Sequence, residues 1–274
     1  MTNKPIMVHD ADAEYHAQKR LSKSGMDKLL QCPALFRAWQ CGAAEEDTPA
    51  LRLGTLFHSL VLEPETADRY HVCEFPGTTK AGKAERAEAE AAGKRIITVS
   101  EWDTANGMAD AVRHHPLLKR IFGGKERKTE MSVYWTEDVQ GIPCECKARV
   151  DMLVTVPGIG PVAIDLKSSQ CAAPDVLGRK IMDYGYHRQA AWYQYALSQV
   201  GIDIASFLFV FVEKTEPYIV TPASINDSAT AVGLGDCRRA LETYAECQRT
   251  NTWPCYTQEI VDIDLPDWAY RKIA

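Results

Sequence analysis

The sequence predicts an α/β fold: a mixed central sheet flanked by helices, with a helical portion at the N-terminus. Two observations carry this. "TEMSVYWT", "IPCECKARVDMLVTV" and "PVAIDLKSS" read as consecutive strands rich in alternating, β-branched and aromatic residues, and "ASFLFVFVEK" as a further, strongly apolar one. The stretches on either side carry apolar residues at helical spacing, giving the order α-α-α-β-β-β-α-α-β-α.

Residues 1–20 are expected to be a flexible N-terminus and 21–274 a single domain. In "SKSGMDKLLQCPALFRAWQ", Ser22 and Ser24 are good N-cap residues and Met26, Leu29 and Leu30 supply an apolar face, so a helix is expected, broken near Pro33 and resumed. "LRLGTLFHSLVLEP" places Leu53, Phe57, Leu60 and Val61 at helical spacing, ends at Pro64, and sets His58 beside the stripe. The Ala-, Glu- and Lys-rich segment Thr78–Arg95 reads as a solvated helix or loop, and a helix is expected from Asp103 to about Phe122. "PGIG" joins two of the strands as a hairpin. Beyond it, "APDVLGRKIMDYGYHRQAAWYQYALSQVG" is helical and Asn226–Arg249 is a long helix.

The 274 residues, 46% hydrophobic and 25% charged, are ordinary for a globular protein with a substantial core. No run approaches the roughly 18 apolar residues of a membrane span, and no secretory signal is recognisable, so a cytoplasmic protein without membrane contact is expected. The nine cysteines then read as reduced thiols. With no C-x2-C pair, zinc is disfavoured, and an iron–sulfur cluster from Cys32, Cys237, Cys247 and Cys255 has little support. The net charge of −6 means that any nucleic-acid binding must be local.

Chemistry concentrates where the apolar run of "PVAIDLKSSQ" ends. Asp165 and Lys167 share one face of a strand and Leu166 takes the other, which by itself is also the pattern of a plain ion pair. Asp151 lies on the preceding strand, giving D-x13-D-x-K across one tight connection. Two carboxylates and a lysine make a hard oxygen-donor site of the kind Mg²⁺ prefers, and metal-assisted phosphodiester hydrolysis uses such a set. Buried unpaired in "ARVDMLV", Asp151 would be costly, so a metal accounts for it better than a salt bridge does.

"RVDMLV…VAIDLKSS" resembles the PD-(D/E)xK nuclease core, with Asp at the third signature position. "LGTLFH" is similar to the helix that supplies a histidine in RecB-like nucleases, and "RQAAWYQYA" to the Q-x3-Y helix that follows the lysine strand. "LSKSGMDKLLQCPALFRAW", "LGTLFHSLVLEPE", "AVRHHPLLKRIF", "TEMSVYW", "CKARVDML", "AIDLKSS", "YGYHRQAAWYQYAL" and "WPCY" resemble, in order, the RecE-like exonuclease VIII family from Leu21 to Tyr256.

That resemblance implies a Mg²⁺-dependent (or Mn²⁺-dependent) exonuclease. It would degrade one strand of duplex DNA from its 5′ end as a ring tetramer and leave a 3′ strand for a RecT-type annealing partner. It implies His58, Asp151, Asp165 and the Leu166 carbonyl as metal ligands, with Glu130 at a second metal or acting through water. Lys167 would position the attacking water, and Gln189 and Tyr193, four apart on one helix face, would steady the lysine or a phosphate. Each has a plainer reading: His58 as a boundary histidine, Glu130 as a solvated residue, Gln189 and Tyr193 as packing. Ser24, Arg37 and Arg52 are candidates for a 5′-phosphate pocket, and Lys80, Lys83, Arg86, Lys94 and Arg95 for a channel, although Glu85, Glu88 and Glu90 interrupt the latter. The alternatives are a RecB-like endonuclease or single-strand nuclease, and a catalytically silent DNA-end-binding module.

Overall fold

The computed structural model describes residues 4–42 and 48–270. Its centre is a six-stranded sheet ordered β1 (Ile6–His9), β4 (Lys125–Val139), β5 (Ile142–Val156), β6 (Gly160–Ser169), β7 (Ser206–Glu213) and β8 (Val220–Ser224). β6 and β7 are parallel and the other neighbours antiparallel, so the sheet is mixed as expected. The parallel pair needs a long connection, and α8 (Pro174–Asp183) and α9 (Tyr186–Gln199) supply it. β5 turns into β6 through Pro157–Gly158–Ile159, where φ of +79° suits Gly158.

Helices cover both faces. α2 (Lys23–Gln31), α3 (Pro33–Gln40), α9 and α10 (Asp227–Thr250) pack Met26, Phe36, Trp192 and Tyr244 against Trp135, Phe209 and Phe211. On the other face, α4 (Pro49–Leu62), α6 (Val99–His114) and α7 (Pro116–Phe122) bury Phe57, Met108 and Leu118 against Val154, Ile164 and Leu166. Ser22 caps α2 by accepting the Gly25 N–H, and Cys32 and Pro33 separate α2 from α3 at the expected break.

The structure departs from the sequence reading in several places, one of them the strand β8, which the expected order lacks. Within the segment expected to be flexible, Ile6–His9 pairs with Met131–Tyr134 as an edge strand, and α1 (Asp12–Ala17) follows. Four residues show too little periodicity for a strand to be legible, and the partner edge of β4 decides it. The helix expected from Asp103 to Phe122 is two, because Pro116 cannot continue α6 and opens α7 instead. Thr78–Arg95 contains the solvated helix expected there, α5 (Lys80–Ala91), but Tyr70–Cys73 (β2) pairs in parallel with Arg95–Thr98 (β3), a small sheet the pattern did not reveal. Among the described residues no helix is long and apolar enough to cross a membrane.

Candidate active site

The site forms where the central sheet opens. The β5–β6 ladder runs from Val156 opposite Gly160 to Met152 opposite Ile164 and stops there; the next row would set Asp151 against Asp165. Two carboxylates facing each other repel. Instead of a ladder bond, the Leu166 N–H donates to Asp151 Oδ2 at 2.8 Å. On the other side of β5, Glu130 falls between the pairs Met131–Val150 and Thr129–Met152, with a left-handed φ of +51° that is uncommon for a residue with a side chain. One row across three strands therefore carries Glu130, Asp151 and Asp165.

The side chains converge as that row suggests. Ligand atoms of His58, Glu130 and Asp151 lie within 4.8 Å of one another. α4 brings in His58, whose Nδ1 is 3.4 Å from Asp151 Oδ2 and whose Nε2 is 2.9 Å from the Leu166 carbonyl oxygen. Glu130 Oε2 is 2.8 Å from Arg149 Nε. Asp165, 1% exposed, pairs through Oδ2 with Lys167 Nζ at 2.6 Å and accepts a hydrogen bond from Gln189 at Oδ1. Tyr193, one turn along α9, borders the same space and packs on Phe207.

The electrostatics show a set crowded with negative charge. Burial, reinforced by Asp151, pushes the Glu130 carboxyl up to about 8. Burial also pushes Asp165 up to about 7, against the pull of Lys167. Burial works against the Lys167 ammonium too, but Asp165 and Asp151 outweigh it and hold its pKa above the ordinary value, so the lysine is a cation at neutral pH. Burial lowers the His58 pKa and favours the neutral imidazole that can bind a metal. Carboxylates that resist ionising together, a neutral imidazole and a backbone carbonyl oxygen nearby fit a hard divalent cation such as Mg²⁺ or Mn²⁺. Glu130, Asp151, His58 and the Leu166 carbonyl are the donors best placed to hold it, with Asp165 one row away.

The site lies in a cleft of about 940 Å³. Lys19, Arg20, Lys23, Arg69, Lys147 and Arg149 are among its lining residues, so a chain of net charge −6 has a locally basic cleft. Lys147 is 3% exposed, donates to the carbonyls of Tyr15 and Gln18 at 2.7 and 2.8 Å, and ties the end of α1 to the sheet.

The family model of the PDDEXK-like domain of unknown function DUF3799 matches residues 22–264. The chain belongs to this family. It is similar in structure to a protein from Eubacterium rectale titled "Putative exonuclease", with a TM-score of 0.60 and 15% identity over 96% of this chain and 98% of that one. At that identity the likeness shows a common fold, which the family model describes as PDDEXK-like. A weaker likeness, to the structure of SSO0001, has a TM-score of 0.33 and 15% identity over 80% of this chain and 84% of that one. No curated protein matches the chain.

Within this PDDEXK-like domain, the sequence reading and the geometry meet at His58, Glu130, Asp151, Asp165, Leu166, Lys167, Gln189 and Tyr193. The emphasis differs at two of them. Glu130 stands inside the three-residue donor cluster while Asp165 is engaged by Lys167 and Gln189, and Gln189 reaches the lysine through Asp165. The proposed 5′-phosphate residues separate. Ser24 lines the cleft, whereas Arg37 bonds Gln40 and lies over the Trp253 ring, and Arg52 faces Glu101 at 3.6 Å. Of the basic residues proposed for a channel, Arg95 is at the cleft.

The iron–sulfur set does not assemble among the described residues. Cys32 and Cys237 bond the carbonyls of Pro254 and Arg188, and the clusters that close within 4.8 Å are the one above and His71, Cys73 and Glu85. In the latter, Glu85 accepts from His71 and from the backbone N–H groups of Glu74 and Phe75, which accounts for it as a loop anchor. Sequence reasoning missed Lys147, Arg149 and Tyr186. The first two were signalled by "KARVD", where Lys147, Arg149 and Asp151 alternate along one strand.

Proposed function

We propose that the protein is a divalent-metal-dependent deoxyribonuclease that digests linear duplex DNA from 5′ ends and leaves 3′ single strands for a RecT-type annealing partner. The observation that carries the hydrolytic reading is the row of three carboxylates across β4, β5 and β6, with Lys167 locked beside it. Family membership and the basic cleft support it. The exonuclease description of the Eubacterium rectale protein agrees with end-dependent cleavage, and the RecE-like motifs supply the polarity, the annealing partner and a ring tetramer.

Mg²⁺, when bound by His58, Asp151, Glu130 and Leu166, would lower the pKa of a water and offset charge on the phosphate. The chain does the rest. Cleft cations hold the backbone phosphates. Lys167 keeps its protons, so it acts by donating a hydrogen bond to the attacking water or to a phosphate oxygen rather than by taking a proton. Its position is fixed twice over: by Asp165 at 2.6 Å, and by Gln189, which holds the other oxygen of that carboxylate.

The test is digestion of linear duplex, closed-circular duplex and single-stranded DNA with Mg²⁺ or EDTA, one 5′ end labelled, beside Asp165→Ala. Mg²⁺-dependent loss of label from the linear duplex alone, absent in the variant, is expected. Nicking of the circle would replace the exonuclease reading with the endonuclease one, and binding without cleavage would leave an end-binding module.

A further inference from the structure

Two tyrosines form a ladder that leads from the catalytic lysine to solvent. Lys167 Nζ lies 4.9 Å from the centre of the Tyr186 ring, and Tyr186 packs on Phe209 and Phe211 at 5.5 and 5.9 Å. Tyr184 stacks on Tyr186 with centroids 5.6 Å apart and planes 20° from parallel, yet is 61% exposed. The stack depends on the residue between the two rings. Gly185 has φ of +63°, a left-handed conformation that glycine adopts without strain at the sharp turn between α8 and α9. A second cation braces the ladder: Lys23 Nζ donates to the Tyr184 carbonyl at 2.7 Å, lies 5.7 Å from the Tyr186 ring and lines the cleft. Tyr186 is therefore backed by the core, and Tyr184 is held flat against it while much of its surface remains in water.

A rigid, exposed aromatic stacked on a second ring that two ammonium groups approach suits one ligand chemistry well. A nucleobase offers a flat π face to the ring, and its phosphate an anion to the lysines. A base inside a duplex is already stacked on both sides, so the ligand is a base released from pairing. We infer that Tyr184, backed by Tyr186, is a stacking platform for an unpaired nucleobase of the DNA strand that threads the cleft, an inference that rests on the nuclease reading above. Tyr186, the inner ring, lines the cleft beside Lys167, so the outer ring holds a base at the edge of the cleft, one ring beyond the catalytic lysine. The platform tolerates any sequence, because every base has such a face.

The test uses the full chain with Ca²⁺ in place of Mg²⁺ and a linear duplex ending in a short single-stranded tail. 2-Aminopurine is placed at one tail position at a time, since stacking quenches its fluorescence. One position should be quenched on binding. Tyr184→Ala should restore that signal and weaken tail binding roughly 5- to 150-fold, the range for one base–aromatic stack, while Tyr184→Trp should keep both. Quenching that survives in Tyr184→Ala while DNA remains bound overturns the platform and leaves the nuclease reading intact. So does an effect of Tyr184→Ala on oligomer mass alone, which would make this surface a protein contact. Failure of the wild-type chain to bind DNA in any form overturns both.

Discussion

Glu130→Gln should make the metal-free protein more stable in alkaline than in acid solution, relative to wild type. The Glu130 carboxyl stands at about 8 because burial, and then Asp151, penalise its charge. In an unfolded chain the same group ionises near 4.5. With the folded value the higher, the folded protein binds the extra proton, so stability falls as pH rises from about 4.5 toward 8. At about 1.4 kcal/mol per pH unit, the ceiling on that loss is roughly 5 kcal/mol. Glutamine cannot ionise and escapes it. Loss of the 2.8 Å Arg149 pairing subtracts a share, largest where Glu130 is ionised, so about 1–4 kcal/mol of relative gain is expected between pH 5 and 8. For a chain of this size each kcal/mol moves Tm by about 2 °C. Thermal unfolding in EDTA at pH 5, 6, 7 and 8 measures it. Mg²⁺ or Mn²⁺ should raise the wild-type Tm more at pH 8 than at pH 5, and raise that of Glu130→Gln less. A Tm difference between variant and wild type that stays constant across pH would refute the argument, because the carboxyl would then not be held protonated by its surroundings.

Three further outcomes are expected. Lys167→Ala should abolish cleavage while calorimetry still detects Mn²⁺ binding, because the lysine is outside the donor cluster; joint loss of metal binding would place Lys167 in a structural role. His58→Ala removes a donor facing both Asp151 and Leu166 and should raise the Mg²⁺ concentration for half-maximal activity by about tenfold or more. Unchanged metal dependence would take His58 out of the ligand set. Gln189→Ala leaves Asp165 Oδ1 without its donor and should lower kcat by roughly 10-fold or more with little change in KM for DNA. A change confined to KM would point to contact with substrate instead.

The fold and half of the site were legible because local patterns carried them. Alternation along "VAIDLKSS" put Asp165 and Lys167 on one face, and Leu166 is indeed buried in the opposite core. The four-residue spacing of Gln189 and Tyr193 put both at the cleft. The edge strand Ile6–His9 was not legible, being shorter than a period-two signal needs and held by a partner more than 120 residues away. Nor was the separation of Arg37 and Arg52 from Ser24, since the three lie on different helices, α3, α4 and α2, whose packing no local pattern sets.

By itself, the sequence determined which residues bring charge to the end of a core strand, since spacing and alternation are properties of the chain and survive any arrangement of the elements. The division of labour was decided only in three dimensions. Glu130 and Asp151 are 21 positions apart, and Asp151 and Asp165 are 14 apart, yet antiparallel register sets all three in one row. Coulomb repulsion and burial act through that spatial separation. They part the ladder, hold the Glu130 and Asp165 carboxyls above their ordinary values and leave Lys167 charged beside them.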